Sequence, residues 1–112
     1  KLRTSATFSN YQASATPFSV ANLTAEKRAV MQVAAPDGRV AFAPRASSWL
    51  STAGTGDVLA GAIASRLATG ADAFAAACEG VWLHGEAARR MPAPFTAGQL
   101  AEQVARAYAA CL

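Results

Sequence analysis

The residue types and spacing most able to do chemistry lie in Ser51-Thr52-Ala53-Gly54-Thr55-Gly56-Asp57-Val58-Leu59-Ala60-Gly61. Two glycines flank a threonine just ahead of a stretch that reads as a helix. Glycine has no Cβ, so the backbone there can come close to a ligand and turn successive N–H groups the same way. A helix start adds unsatisfied N–H groups and the positive end of the helix dipole. The sum is a site for an anion such as phosphate. Asp57 follows at once, placed to act as a general base toward a substrate hydroxyl that attacks phosphorus. Taken alone, Gly54-Thr55-Gly56-Asp57 also fits a plain turn with Asp57 as an ordinary N-cap. It is not a Walker A loop, because no Gly-Lys-Ser/Thr follows, and it lacks the third glycine and preceding strand of a dinucleotide fingerprint.

The elements that must position this loop are read from period and punctuation. Val30–Ala34 is a strand candidate, Pro36-Asp37-Gly38 a turn, and Val40–Phe42 a return strand, together a β-hairpin. Asp37 reads as a turn residue. Ser47 to Gly56 reads as a loop of small residues carrying Trp49 and Leu50. A first helix is expected from Asp57 and Val58 to about Ala68, with Val58, Leu59, Ala62, Ile63 and Leu67 on its apolar face and Gly70 as its stop. A second runs from an Asp72 N-cap to about Arg90. Its buried face is marked by Phe74, Cys78, Val81, Trp82, Gly85 and Ala88, and Pro92 and Pro94 end it. A third starts at Thr96, where Thr96 and Gln99 have capping-box spacing, and presents Leu100, Val104, Tyr108 and Cys111. The fold class is α/β in the order hairpin, glycine loop, three helices. A lone hairpin covers three such helices poorly, so further sheet is expected from elsewhere.

Composition narrows the function classes. Apolar residues make up 53% of the chain, enough for a core, while charged residues make up 15%, below the roughly one quarter usual for a soluble domain. Some surface is therefore expected to be covered by other chain or by a partner. The net charge is +3 and the arginines are scattered, which argues against nucleic acid. No apolar run approaches the ~18 residues of a membrane span. Cys78 and Cys111 lack metal-ligand spacing and read as small buried hydrophobes in a reducing, cytoplasmic setting. No metal-ligating residues are assigned. The lone histidine, His84, reads as a packing or helix–helix hydrogen-bonding residue, and Trp49 and Trp82 as core. Glu86 with Arg89 and Arg90 reads as a solvated i, i+3 and i, i+4 group. Residues 1–26, rich in Ser, Thr, Ala and Asn, read as loop-like or poorly ordered. The start without methionine and the short length suggest a fragment or a processed product.

The longer string Thr52-Ala53-Gly54-Thr55-Gly56-Asp57-Val58-Leu59-Ala60-Gly61 resembles the signature near the C-terminus of ribokinase-fold enzymes. Downstream, Gly80-Val81-Trp82-Leu83-His84-Gly85-Glu86-Ala87-Ala88 resembles a helix of NAD(P)H-hydrate dehydratases. The hairpin Ala35-Pro36-Asp37-Gly38-Arg39-Val40 and the Trp49-Leu50 approach fit the same family. The resemblance covers about residues 33–112 and implies that 27–112 is the C-terminal part of a ribokinase-like dehydratase domain.

The activity implied is repair of hydrated NADH or NADPH: phosphorylation of the hydrate hydroxyl, then loss of phosphate. ADP, or ATP, would be co-substrate, with Mg2+, and the complete domain is expected to be a homo-oligomer. The resemblance puts Gly56 on the nucleotide side, Asp57 at the hydrate hydroxyl, and Gly54 and Thr55 in the anion hole. Upstream, the family's Lys-Gly-x-x-Thr nucleotide contact falls on Lys27-Arg28-Ala29-Val30-Met31. Lysine is kept as Lys27; Arg28 and Met31 replace glycine and threonine. Two other readings remain: a ribokinase-fold kinase of a small vitamin precursor or sugar, and an inactive fragment of such an enzyme. The 1–112 chain by itself is expected to lack turnover.

Overall fold

The computed structural model describes residues 32–112. Strand β1, Gln32–Ala34, pairs antiparallel with β2, Val40–Phe42, in the register Gln32↔Phe42, Val33↔Ala41, Ala34↔Val40. Val30 and Met31, the start of the expected first strand, lie outside the described residues, as do Lys27 and the whole of 1–26. The turn closes as Pro36-Asp37-Gly38 requires. Gly38 takes φ 97°, and Ala35 donates its N–H to the Arg39 carbonyl at 2.8 Å. The Asp37 carboxylate accepts from the Arg39 backbone N–H and from Arg39 Nε. These bonds hold Asp37 below the usual carboxylate range, the backbone bond contributing most. The Arg39 guanidinium stacks 4.5 Å from the Phe74 ring and so pins the turn to the start of the second helix.

A short 3-10 turn, Ser48–Ser51, interrupts what the sequence suggests is plain loop. Three helices follow: α1, Thr55–Ala68; α2, Ala73–Arg89; α3, Ala97–Ala109. Their ends follow the punctuation of the sequence. Asp72 caps α2 through the Ala75 N–H at 2.9 Å. Thr96 and Gln99 make both bonds of a capping box at the start of α3. Gly70, at φ 95°, donates to the Leu67 carbonyl and Ala71 to the Arg66 carbonyl, a Schellman end for α1.

Helix α2 is the centre of the unit. From Gly80 to Ala88 only Trp82 and Glu86 are not buried, because α1, α3 and the hairpin all pack on it. One core cluster joins Leu83 to Ala107 of α3 and to Cys111 just beyond its end, and a second joins Ala87 and Ala88 to Phe95 and Leu100. The expected apolar face of α1 is only partly covered. Ala62 is buried, Val58, Leu59 and Ile63 are half-buried, and Leu67 is 47% exposed. Trp49, expected in the core, is 44% exposed: the 3-10 turn carries it outward while Leu50 packs inward on the second cluster. Between α1 and α3 an apolar groove of about 530 Å³ stays open, lined by Val58, Gly61, Ala62, Leu83, Ala101 and Val104 among others. No described helix is long and apolar enough to cross a membrane.

Candidate functional site

Helix α1 starts two residues earlier than its apolar period suggests. Gly54 is the N-cap residue, at φ 90°, and Thr55, Gly56 and Asp57 form the first turn. Asp57 is therefore not the N-cap. It sits in the third helical position, where a carboxylate is favoured by the helix dipole. The Val58 N–H reaches back to the Gly54 carbonyl at 3.3 Å, and the Thr55 N–H to the Thr52 carbonyl at 3.3 Å. Between them, the Gly56 and Asp57 N–H groups have no acceptor among the described residues. Both residues are exposed. The result is two adjacent outward amide donors at a positive helix end, with a carboxylate beside them.

The loop is held from three directions. Thr55 is buried, and its hydroxyl donates to the Leu50 and Thr52 carbonyls, tying α1 to the 3-10 turn. Buried His84 of α2 brings Nε2 to 2.8 Å from the Thr55 carbonyl oxygen. A carbonyl only accepts, so Nε2 carries the hydrogen. Burial pushes the His84 pKa below the usual histidine value, and the bond to Thr55 opposes that. From the third side, a Cβ built on Gly54 would lie 3.0 Å from the Ala97 Cβ at the start of α3. Glycine is thus needed at position 54 both for its φ and for this close approach. Gly56 differs: a Cβ there meets nothing within 4 Å, and its φ is not positive. Among the described residues nothing in the packing requires glycine at 56.

The residues singled out in the sequence are therefore brought together at 54–57, while Lys27 lies outside the described residues. The sequence did not indicate how Thr55 divides its groups. Its hydroxyl, amide and carbonyl all serve the protein, and the outward donors belong to Gly56 and Asp57. The open groove between α1 and α3 is lined mainly by apolar residues, with Ser65, Arg66, Thr69 and Tyr108 also among its lining. Among the described residues there is no group of three or more His, Cys, Asp or Glu able to hold a metal ion.

What the described residues define is a small mixed α/β unit with a Gly-Thr-Gly-Asp turn at the start of its first helix. The chain belongs to the NAD(P)H-hydrate dehydratase family, whose model matches residues 13–109. It is 47% identical over 77 residues to the ADP-dependent (S)-NAD(P)H-hydrate dehydratase of Neisseria meningitidis serogroup B. It is 44% identical over 59 residues to the bifunctional NAD(P)H-hydrate repair enzyme Nnr of Mycobacterium leprae. Those matches take in 67% and 53% of this chain but only 26% and 12% of the relatives. The chain thus spans well under a third of the length of either. No solved structure gives a significant match.

Proposed function

We propose that this chain supplies the phosphate loop and the general base of an ADP-dependent NAD(P)H-hydrate dehydratase with a ribokinase-like fold. The observation carrying the reading is the pair of amides at Gly56 and Asp57 that have no acceptor among the described residues, beside the exposed Asp57 residue, in a chain of this family. The family membership and the name of the Neisseria relative support ADP as co-substrate and the hydrated nicotinamide ring as acceptor.

In this reading the amides of Gly56 and Asp57 bind the terminal phosphate oxygens of ADP. They stabilise the charge that builds there as the phosphoryl group moves. Gly54 and Thr55 shape the loop, and Lys27 is a further nucleotide contact. Asp57 takes the proton from the hydrate hydroxyl as its oxygen attacks phosphorus. The new O–P bond forms as the bridging P–O bond of ADP breaks, leaving AMP. Phosphate then departs from the ring carbon together with a proton from the neighbouring carbon, and the dihydronicotinamide is restored. Mg2+ is part of the same proposal, although among the described residues no group of three or more His, Cys, Asp or Glu would hold it. The reaction belongs to a soluble cytoplasmic domain, and a homo-oligomer is part of the proposal.

The test uses the full-length gene product with hydrated NADH and ADP, following the return of NADH absorbance. Wild type restores it and Asp57→Asn, with unchanged circular dichroism, does not. A folded Asp57→Asn protein with near-normal turnover removes Asp57 as base. Turnover of a hydroxymethyl vitamin precursor or a sugar in place of hydrated NADH shifts the assignment to a ribokinase-fold kinase.

A further inference from the structure

Three features outside the proposed chemistry stand out: the apolar groove between α1 and α3, the Arg66–Glu79 ion pair, and buried His84. Nothing on the groove indicates its occupant, and both members of the ion pair are engaged with each other. His84 is different, because it joins the central helix to the phosphate loop through a single atom pair.

A histidine in the middle of α2 carries a cost. The residue is 5% exposed, and burying a polar group without a partner is unfavourable. The partner it finds is not on its own helix. Nε2 donates at 2.8 Å to the carbonyl of Thr55, the first residue of α1. Rotating the peptide unit that carries this carbonyl rotates the Gly56 N–H on its other end, because the peptide is planar. The His84 bond therefore fixes the direction of one of the two outward donors directly. The same residue, Thr55, is held from below by its hydroxyl on the Leu50 and Thr52 carbonyls, so its carbonyl and the Gly56 amide have one orientation.

We infer that His84 is a positioning residue for the anion loop: its Nε2–H holds the Thr55–Gly56 peptide so that the Gly56 amide faces the phosphate. This rests on the reading of the loop as a phosphate site. It makes the tautomer, not the charge, of His84 the feature that matters. The Nδ1–H tautomer would set a lone pair against the carbonyl lone pairs and leave the peptide held by the helix backbone alone.

The test uses the full-length protein as wild type, His84→Leu and His84→Gln. Glutamine places an amide donor close to where Nε2 sits; leucine fills the space without a donor. Loss of one such bond is expected to weaken ADP binding in His84→Leu about tenfold by calorimetric titration. His84→Gln is expected to stay within about threefold of wild type, on the same hydrogen-bond scale. The Gly56 and Asp57 amide signals should move in His84→Leu and return in His84→Gln. A merely structural histidine would lower both variants together, and that result overturns the inference. So does an Nδ1–H tautomer in the imidazole nitrogen spectrum of the wild type, a measurement that stands even where His84→Leu does not fold. If the wild type binds no ADP while its loop amides still respond to His84 in this way, the nucleotide reading fails and the positioning role stands.

Discussion

Gly80 of α2 and Ile63 of α1 are so close that a Cβ built on Gly80 would lie 2.4 Å from Ile63 Cγ1 and 3.0 Å from the Ile63 backbone. No real Cβ makes such contacts, so the separation of the two helices is set by the missing side chain at this point. That separation matters for the loop. It lets His84, one turn further along α2, reach the Thr55 carbonyl at the start of α1. Gly80→Ala must push α1 outward, since backbone as well as side chain is in the way. Overpacking of this kind costs about 1–3 kcal/mol. The expected result is a lower midpoint in urea with an unchanged slope, accompanied by weaker ADP binding. An unchanged midpoint would mean that the helices separate freely.

Gly54 and Gly56 are expected to respond in opposite ways to alanine. Gly54 has φ 90° and meets Ala97 at 3.0 Å, so Gly54→Ala strains the backbone and destabilises the fold by about 1–3 kcal/mol. Gly56 has ordinary φ and open space around it. In mid-helix alanine is favoured over glycine by about 1 kcal/mol, so Gly56→Ala should leave stability unchanged or slightly raised. Its effect should fall on ADP affinity alone, because the added methyl stands beside the outward amides. Thermal unfolding and calorimetric titration on the two variants separate the effects. Equal ADP binding by Gly56→Ala and wild type would place the phosphate elsewhere.

Much of this arrangement was legible from the residues. Asp72, Thr96 with Gln99, and Gly70 mark helix ends that the structure reproduces, because capping chemistry is local and depends on few neighbours. The turn at Pro36-Asp37-Gly38 is equally local. Two features were not legible. Helix α1 begins at Thr55 and not at Asp57, since Gly54 takes a left-handed conformation that lets Thr55 and Gly56 join the helix, and the sequence does not announce which glycine of a Gly-x-Gly pair turns. Trp49 points outward because a 3-10 turn rotates Ser48–Ser51, and four residues are too few to show a period. His84 reads as a packing or helix–helix hydrogen-bonding residue; the structure gives it the hydrogen bond, but the partner is 29 positions away and no spacing rule could name it.

The depressed pKa of His84 makes stability depend on pH in a definite direction. The unfolded chain takes up a proton near the ordinary value of about 6.5, while the folded protein resists it because the ring is buried. Below that value the unfolded state holds more protons than the folded state, so stability falls as pH falls. The contribution is fully present above about pH 7 and is lost between the unfolded pKa and the lower folded one. Among the described residues no charged neighbour contributes to the shift. Urea midpoints at pH 7.5 and pH 5.5 should therefore differ more in wild type than in His84→Gln. The same difference in both proteins would assign the pH effect to other groups.

Cys78 is expected to be inert in the folded protein. It lies buried in α2, and burial pushes its thiol up to about 11, with the nearby Glu79 carboxylate adding to the effect. The thiolate is the reactive form, so almost none is present at neutral pH. Reaction with a coloured disulfide reagent at pH 7.5 should be slow for the native protein and rapid in denaturant. Fast native labelling at Cys78, located by peptide mapping, would contradict the burial of this helix.

The Arg66–Glu79 pair joins α1 to α2 at 2.7 Å, with side chains only 12% and 22% exposed. Arg66 also lies 5.3 Å from the Tyr108 ring centroid, so one guanidinium touches all three helices. The hydrogen bond to Glu79 raises the Arg66 pKa further, so the guanidinium keeps its charge. Removing one partner leaves a largely buried charge uncompensated. Fully buried pairs lose about 3–5 kcal/mol in this way; with water reaching both groups here, about 2 kcal/mol is expected for Glu79→Gln. Replacing both residues, Arg66→Met with Glu79→Leu, removes the stranded charge and should recover most of that loss. A double-mutant cycle in urea measures the coupling between the two positions. If Glu79→Gln costs nothing, the pair contributes no stability and the join between α1 and α2 rests on the Gly80–Ile63 contact and the apolar core. If the double replacement is worse than either single one, the guanidinium's contact with Tyr108 is the part that holds α3.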